Sequence, residues 1–172
     1  QGPDAGTWGA RAAVIGGCCG TSNVLTGKLF DVPVKGTHAH GWVMSFPDEL
    51  TAFREYARLF PNACLLLVDT YNTLESGVPN AIQVFREMRA KGMELKNYGI
   101  RLDSGDLAYL SKKAKEMLEE AGFPDAIISA SSDLDENLIA SLKLQGAKII
   151  LWGVGTKLIT SDDCPAFGGV YK

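Results

Sequence analysis

The run Cys64-Leu65-Leu66-Leu67-Val68, closed by Asp69, constrains the fold more than any other stretch of the chain. It is an almost unbroken apolar segment with no polar alternation, the pattern of a strand buried on both faces. Such strands belong to parallel sheets covered by helices. Similar short apolar runs, bounded by turn residues, recur at 32–35, 98–102, 126–130 and 148–152. Stretches of helical period lie between them.

The helical stretches are at 47–60, 80–91, 106–121 and 134–144. Pro47 stands at the favoured first position of a helix, and Leu50, Phe53, Ala57 and Phe60 fall on one face. Ile82, Phe85 and Met88 form the stripe of the next helix, and Leu107, Leu110, Ala114 and Met117 that of the third. Gly122 and Gly146 close the third and fourth helices. Two earlier helices are expected at 4–15, with Asp4 as cap, and at 23–30 behind the capping cluster Thr21-Ser22-Asn23. Strand and helix alternate, so the fold class is α/β with at least five parallel strands, either an open doubly wound sheet or part of an eight-fold barrel. Period alone does not separate these two. Five strands cannot close an eight-fold barrel, and the chain starts at Gln1 rather than Met, so a piece of a longer protein is expected.

Composition narrows the class further. The chain has 172 residues, 46% hydrophobic and 22% charged, with a net charge of −3. That length supports a sizeable core. The charge offers nucleic acid no bulk attraction, and neither a membrane-spanning apolar run nor a signal-peptide pattern is present. Cys18, Cys19, Cys64 and Cys164 fit neither a zinc ribbon nor a disulfide framework. They read as reduced thiols of a cytoplasmic protein, with Cys64 in the core.

In either architecture the chemistry belongs at the C-terminal ends of the strands. The segments that follow the five runs are Gly36-Thr37-His38-Ala39-His40, Asp69-Thr70-Tyr71-Asn72-Thr73, Arg101-Leu102-Asp103-Ser104-Gly105-Asp106, Ser131-Ser132-Asp133 and Gly153-Val154-Gly155-Thr156. One such loop is ordinary turn chemistry; five in phase point to a polar site. His38 and His40 are the only histidines. Spaced i, i+2 on an extended chain, they direct both rings to one side. They could be solvated loop residues, metal ligands, or a nucleophile or base poised near neutral pH. Arg101 is either a local ion-pair partner of Asp103 or a fork for a carboxylate. Asp106 and Asp133 suit helix caps. Asp69 and Asp103 close strands, where a carboxylate can hold a hydroxyl or magnesium. Gly153-Val154-Gly155-Thr156 is either a tight turn or a phosphate cradle. Trp8, Trp42 and Trp152 read as packing. From the residues alone, the chain is a β/α enzyme for an anionic, phosphate-bearing small molecule.

The runs Gly36 to Phe46, Leu67 to Tyr71, Gly99 to Leu107, Gly153 to Thr156 and Phe167 to Lys172 together resemble the nicotinate phosphoribosyltransferase family. They do so in order and in phase with the strands. The resemblance implies the type II phosphoribosyltransferase fold, an irregular β/α barrel of which residues 1–172 would be the central portion. It implies an ATP-dependent ligase of NAD synthesis that joins nicotinate to phosphoribosyl pyrophosphate, releasing pyrophosphate. It places the catalytic positions at His40, as a phosphohistidine, and Asp103. Thr37 and Arg101 match nicotinate-site positions, Arg101 at the carboxylate. Gly153, Gly155 and Thr156 match the 5′-phosphate site. Asp69 and Asp103 match acidic positions for the ribose, pyrophosphate and Mg2+. ATP is implied as co-substrate, and a cytoplasmic homodimer as the assembly. Gly41 and Ser132 depart from the residues usual in the family, serine or glutamate and asparagine respectively. The family's arginines upstream of Gln1, and the aromatic that stacks on the pyridine, are not in this chain. A quinolinate enzyme would lack the Gly36–His40 loop, and a nicotinamide enzyme would not need the carboxylate fork. A metallohydrolase on His38 and His40, or a non-catalytic binding module, completes the alternatives.

Overall fold

The structure is a computed structural model that describes residues 2–160. Gln1, Cys164 and the run Phe167 to Lys172, with the strand-like end Val170-Tyr171-Lys172, lie outside the described residues. The described chain forms two compact units. One comprises the described parts of Gln1–Gly36 and Val154–Lys172 together with Asp133–Asp135; the other comprises Thr37–Ser132 and Glu136–Gly153. No helix among the described residues is long and apolar enough to cross a membrane.

The first unit is helical. Helix α1 (Pro3–Ile15) starts with Pro3, whose missing N–H costs nothing there and whose fixed φ suits a first turn. Gly2, not Asp4, is its cap residue. Helix α2 (Val24–Phe30) begins where the Asn23 side chain accepts the Thr26 N–H, as the capping cluster suggested. Trp8 packs on Phe30 with ring centres 5.2 Å apart. The expected strand at 32–35 is reduced to a single parallel bridge between Thr21 and Val34. Pro33 has no N–H to extend that ladder, so the pairing stops there.

The second unit carries the sheet. Helices α3 (His40–Met44) and α4 (Glu49–Leu59) precede strand β1 (Leu65–Leu67). Asp48 accepts the Thr51 N–H, so α4 starts two residues after Pro47. A π-helical turn (Thr73–Gly77) then leads into α5 (Val78–Ala90). Strand β2 (Gly99–Leu102), α6 (Leu107–Glu120), β3 (Ile127–Ala130), α7 (Glu136–Leu144) and β4 (Leu151–Trp152) follow, and α8 (Thr156–Ile159) lies in the first unit. Asp106 caps α6 by accepting the Tyr109 N–H. The described strands form one parallel sheet in the order β1-β2-β3-β4. Four described strands thus replace the five or more expected, while the α/β class and the parallel direction hold.

Burial follows the patterning. Leu66, Leu67, Val68, Ile100, Leu102, Ile128 and Ala130 are buried in the sheet, with Phe53, Phe85 and Leu118 packed from the helices. Cys64 is core, and burial pushes its thiol up to about 12. Met117 is only partly buried; Leu118 takes the inward position expected of it. Phe60 ends α4 half-exposed. The π-helical turn was not legible in the sequence. It ends at Gly77, where any Cβ would overlap the Val68 carbonyl, so the chain presses directly on the residue after β1.

The β3–α7 connection carries backbone strain. Ser132 has φ 100° and Asp133 φ 46°. The left-handed region costs an L-residue about 1 kcal/mol or more, and glycine little. Ser132→Gly is therefore expected to raise the melting temperature by a few degrees; a lower melting temperature would show that the serine relieves the strain through contacts of its own.

Candidate active site

Parallel register levels the strand ends of the second unit. Leu67 stands beside Arg101 and Arg101 beside Ser129; Leu102 stands beside Ala130 and Ala130 beside Trp152. The backbone pairing continues one step, with Ser131 N donating to Leu102 O at 2.9 Å and Gly153 N to Ala130 O at 2.8 Å. Asp69, Arg101, Asp103 and Ser131 therefore meet at one edge, the C-terminal edge where chemistry was expected.

Arg101 is the hub. Its Nη1 donates to Thr37 Oγ1 at 2.7 Å and to His38 O at 3.3 Å. Its Nε donates to Ser131 Oγ at 2.8 Å and its Nη2 to Asp103 Oδ1 at 2.9 Å. Ser131 Oγ also donates to Asp103 Oδ1. Arg101 is the ion-pair partner of Asp103, and its second Nη2 hydrogen has no acceptor among the described residues. Burial works to raise the Asp103 pKa, but hydrogen bonds from Ser131 and Arg101, with the Arg101 charge, outweigh it and hold the carboxyl below its usual range.

Asp69 is deeply set, its side chain 2% exposed. Oδ2 accepts the Asp103 N–H at 2.8 Å and the Ser104 hydroxyl at 2.7 Å. Oδ1 is buried with no hydrogen-bond partner among the described residues. A buried anionic oxygen left so is costly, and a cation or donor relieves the cost. Asp69 Oδ1 and Asp103 Oδ2 lie 3.9 and 3.6 Å from His40 Nε2. No three His, Cys, Asp or Glu residues are grouped to cage a metal among the described residues. Two carboxylates suit magnesium, which keeps waters and substrate phosphates as its other ligands.

The two histidines part company. His40 begins α3, its Nδ1 3.0 Å from Thr70 Oγ1 and its Nε2 facing the carboxylates. His38 is 7% exposed, in ring contact with Tyr56 and Phe53. Its Nε2 accepts the Leu67 N–H at 3.1 Å, and its Nδ1 lies 3.3 Å from Ala39 O. The expectation that both rings turn to one side fails although Ala39 between them is extended, because α3 begins at His40 and takes that residue out of the extended run. Nor do the rings form a His-x-His metal pair, since His38 Nε2 is already engaged by the backbone.

Burial lowers the His38 pKa from 6.5 to about 4; the Ala39 hydrogen bond opposes this, and the charges of Arg101 and His40 add to it. The unfolded chain therefore takes up this proton first. The stability from neutral His38 is full above pH 6.5 and drains away as pH falls toward 4, a span worth roughly 3 kcal/mol. His38→Gln is expected to flatten this part of the melting temperature's acid decline. An undiminished decline would move its origin elsewhere.

The remaining site residues divide between the units. Gly153 follows β4 in the second unit, and Gly155 and Thr156, at the start of α8, belong to the first. Thr70 and Ser131 are site residues that sequence reasoning did not single out. Ser131 is the first residue past β3 and Thr70 the third past β1, a phase that marks the site edge but is shared with ordinary turns.

Fold and site together define a β/α protein whose ionisable and hydroxyl groups converge at the C-terminal edge of a parallel sheet. Residues 8–163 match the model of the nicotinate phosphoribosyltransferase (NAPRTase) family, and the chain belongs to that family. It is 62% identical over 169 residues to the nicotinate phosphoribosyltransferase of Bacillus subtilis (strain 168), covering 98% of this chain and 34% of that protein. It is 43% identical over 172 residues to a nicotinate phosphoribosyltransferase of Mycobacterium tuberculosis, covering 100% of this chain and 36% of that protein. Among solved structures it matches human nicotinic acid phosphoribosyltransferase with a TM-score of 0.77 at 28% identity, over 90% of this chain and 41% of that one. The chain thus spans about a third of the length of the curated relatives it matches.

Proposed function

We propose that the whole protein carrying this chain is a nicotinate phosphoribosyltransferase. It forms nicotinate mononucleotide and pyrophosphate from nicotinate and phosphoribosyl pyrophosphate, with ATP hydrolysis coupled through His40. Residues 1–172 are read as the central portion of its barrel domain, and the protein as a cytoplasmic homodimer of the ATP-dependent ligase class. The observation that carries this reading is the Arg101 guanidinium, set at the strand ends with Thr37 and backed by Asp103. A fixed cationic fork beside a hydroxyl suits the carboxylate of nicotinate and gives the amide no charge to pair with.

His40 supports the ATP coupling. If Nδ1–H donates to Thr70 Oγ1, the Nε2 lone pair is free to attack. The bond between Nε2 and the γ-phosphorus of ATP forms, the bond from that phosphorus to its bridging oxygen breaks, and ADP leaves. Water later cleaves the nitrogen–phosphorus bond, returning the imidazole and inorganic phosphate. The phosphorylated ring adds negative charge beside Asp69 and Asp103 and so alters the affinity of that corner for the cation-bound pyrophosphate, a local electrostatic switch. Asp69 and Asp103 would hold magnesium, which when bound neutralises pyrophosphate charge. Gly153, Gly155 and Thr156 would serve the 5′-phosphate through backbone N–H groups and a hydroxyl.

The test is product formation by the whole protein supplied with phosphoribosyl pyrophosphate, magnesium and ATP. Nicotinate is expected to give its mononucleotide, and nicotinamide to react at least about a hundredfold less efficiently, the scale of one lost buried charge pairing. Equal use of acid and amide would reject the reading. The chain 1–172 alone is expected to be inactive, since it spans only about a third of the length of the relatives it matches.

A further inference from the structure

Ser131 takes no part in the reaction just proposed, yet its hydroxyl joins the two charged groups at the centre of the site. It accepts from Arg101 Nε at 2.8 Å and donates to Asp103 Oδ1, the same oxygen that accepts from Arg101 Nη2 at 2.9 Å. Ser131 is itself fixed. Its N–H donates to Leu102 O at 2.9 Å, and a Cβ on Gly153 would lie 3.4 Å from its own Cβ, so the glycine leaves the serine its place.

A guanidinium offers two forked edges, one along Nε and Nη2 and one across Nη1 and Nη2. Ser131 and Asp103 together fill the first. The second retains the Nη2 hydrogen that has no acceptor among the described residues, beside Nη1 and the Thr37 hydroxyl. Thr37 Oγ1 in turn reaches His38 O at 3.2 Å, so its hydrogen rests on a weak backbone contact that a better acceptor displaces.

We infer that Ser131 is a positioning residue that sets acid-over-amide selectivity, by holding Arg101 so that its unengaged Nη2 hydrogen, with the Thr37 hydroxyl beside it, meets the substrate carboxylate. The inference rests on the proposed nicotinate site. Without the hydroxyl, Nε loses its acceptor and Asp103 is free to move onto the Nε–Nη2 edge as a bidentate partner. A carboxylate of the chain then competes with that of the substrate for the same cation, and the guanidinium turns with it. An uncharged amide gains little from Arg101 in either arrangement and is nearly indifferent.

The experiment is equilibrium titration of the whole protein with nicotinate and, separately, nicotinamide, for the wild type, Ser131→Ala and Ser131→Thr, with melting temperatures alongside. Ser131→Ala is expected to weaken nicotinate binding about tenfold, the scale of one charge-assisted hydrogen bond, and nicotinamide binding less than about twofold. Ser131→Thr, which keeps the hydroxyl, is expected to restore most of the preference. Unaltered preference in Ser131→Ala, in a wild type that does prefer the acid, overturns the inference alone. Equal weakening of both ligands with a lower melting temperature also overturns it, because that is the signature of a structural residue. A wild type without acid preference overturns the functional reading, and the inference with it.

Discussion

His40→Asn in the whole protein is expected to abolish the acid-labile phosphate and cut ATP hydrolysis by at least about a thousandfold, the scale of removing the nucleophile from a covalent mechanism. Asparagine has an N–H that can reach Thr70 Oγ1, so the local fold should persist, but it has no nucleophilic nitrogen to replace Nε2. Slow nucleotide formation without ATP should survive, because Arg101 and Thr37 make their contacts without the His40 side chain. His38 supplies the control. Its ring is buried and its Nε2 occupied by the Leu67 N–H, so His38→Gln should lose stability and keep the phosphoenzyme. Retention of full ATP coupling in His40→Asn would remove His40 from the mechanism.

Arg101→Ala has the second largest expected effect. The charged contact proposed with nicotinate disappears, and four neighbours lose a partner together: Thr37, the His38 carbonyl, Ser131 and the half-buried Asp103. Nicotinate affinity should fall about a hundredfold or more. Part of that loss is the cost of leaving Asp103 without its cation, so Arg101→Lys belongs beside it. Lysine restores the charge but not the planar fork, and should recover stability while recovering little nicotinate affinity. Phosphoribosyl pyrophosphate affinity should change less in both variants. An equal loss for both substrates would make Arg101 a scaffold residue.

How far the site could be read from the chain depended on the backbone each residue sits in. Leu65 to Val68, Gly99 to Leu102 and Ile127 to Ala130 announce themselves because a strand covered on both faces leaves no polar alternation. Strand β4 keeps only Leu151 and Trp152 of the expected 148–152, and Val34 keeps a single bridge; apolar residues alone do not guarantee a partner at the right register. Asp69 and Asp103 were singled out because they follow strands in phase, and Arg101 because it lies near the end of β2; parallel register and the hydrogen bonds at that edge bring them together. The histidine pair misled because the i, i+2 rule applies to extended chain, and α3 begins at the second histidine. Thr70 and Ser131 escaped because a hydroxyl after a strand is ordinary turn chemistry; what distinguishes them is the atom they face. The π-helical turn at Thr73–Gly77 escaped because it goes with the close approach of Gly77 to Val68, which no local pattern encodes.

The account stands on one histidine being chemical and its neighbour structural, and the position of a single phosphate decides it. The whole protein, treated with ATP and magnesium and digested at neutral to alkaline pH to preserve phosphohistidine, can be sequenced by mass spectrometry across residues 36–46. The phosphate is expected on His40, with His38 unmodified. Phosphate on His38, or none in a protein that nevertheless couples ATP hydrolysis to nucleotide formation, would contradict the account.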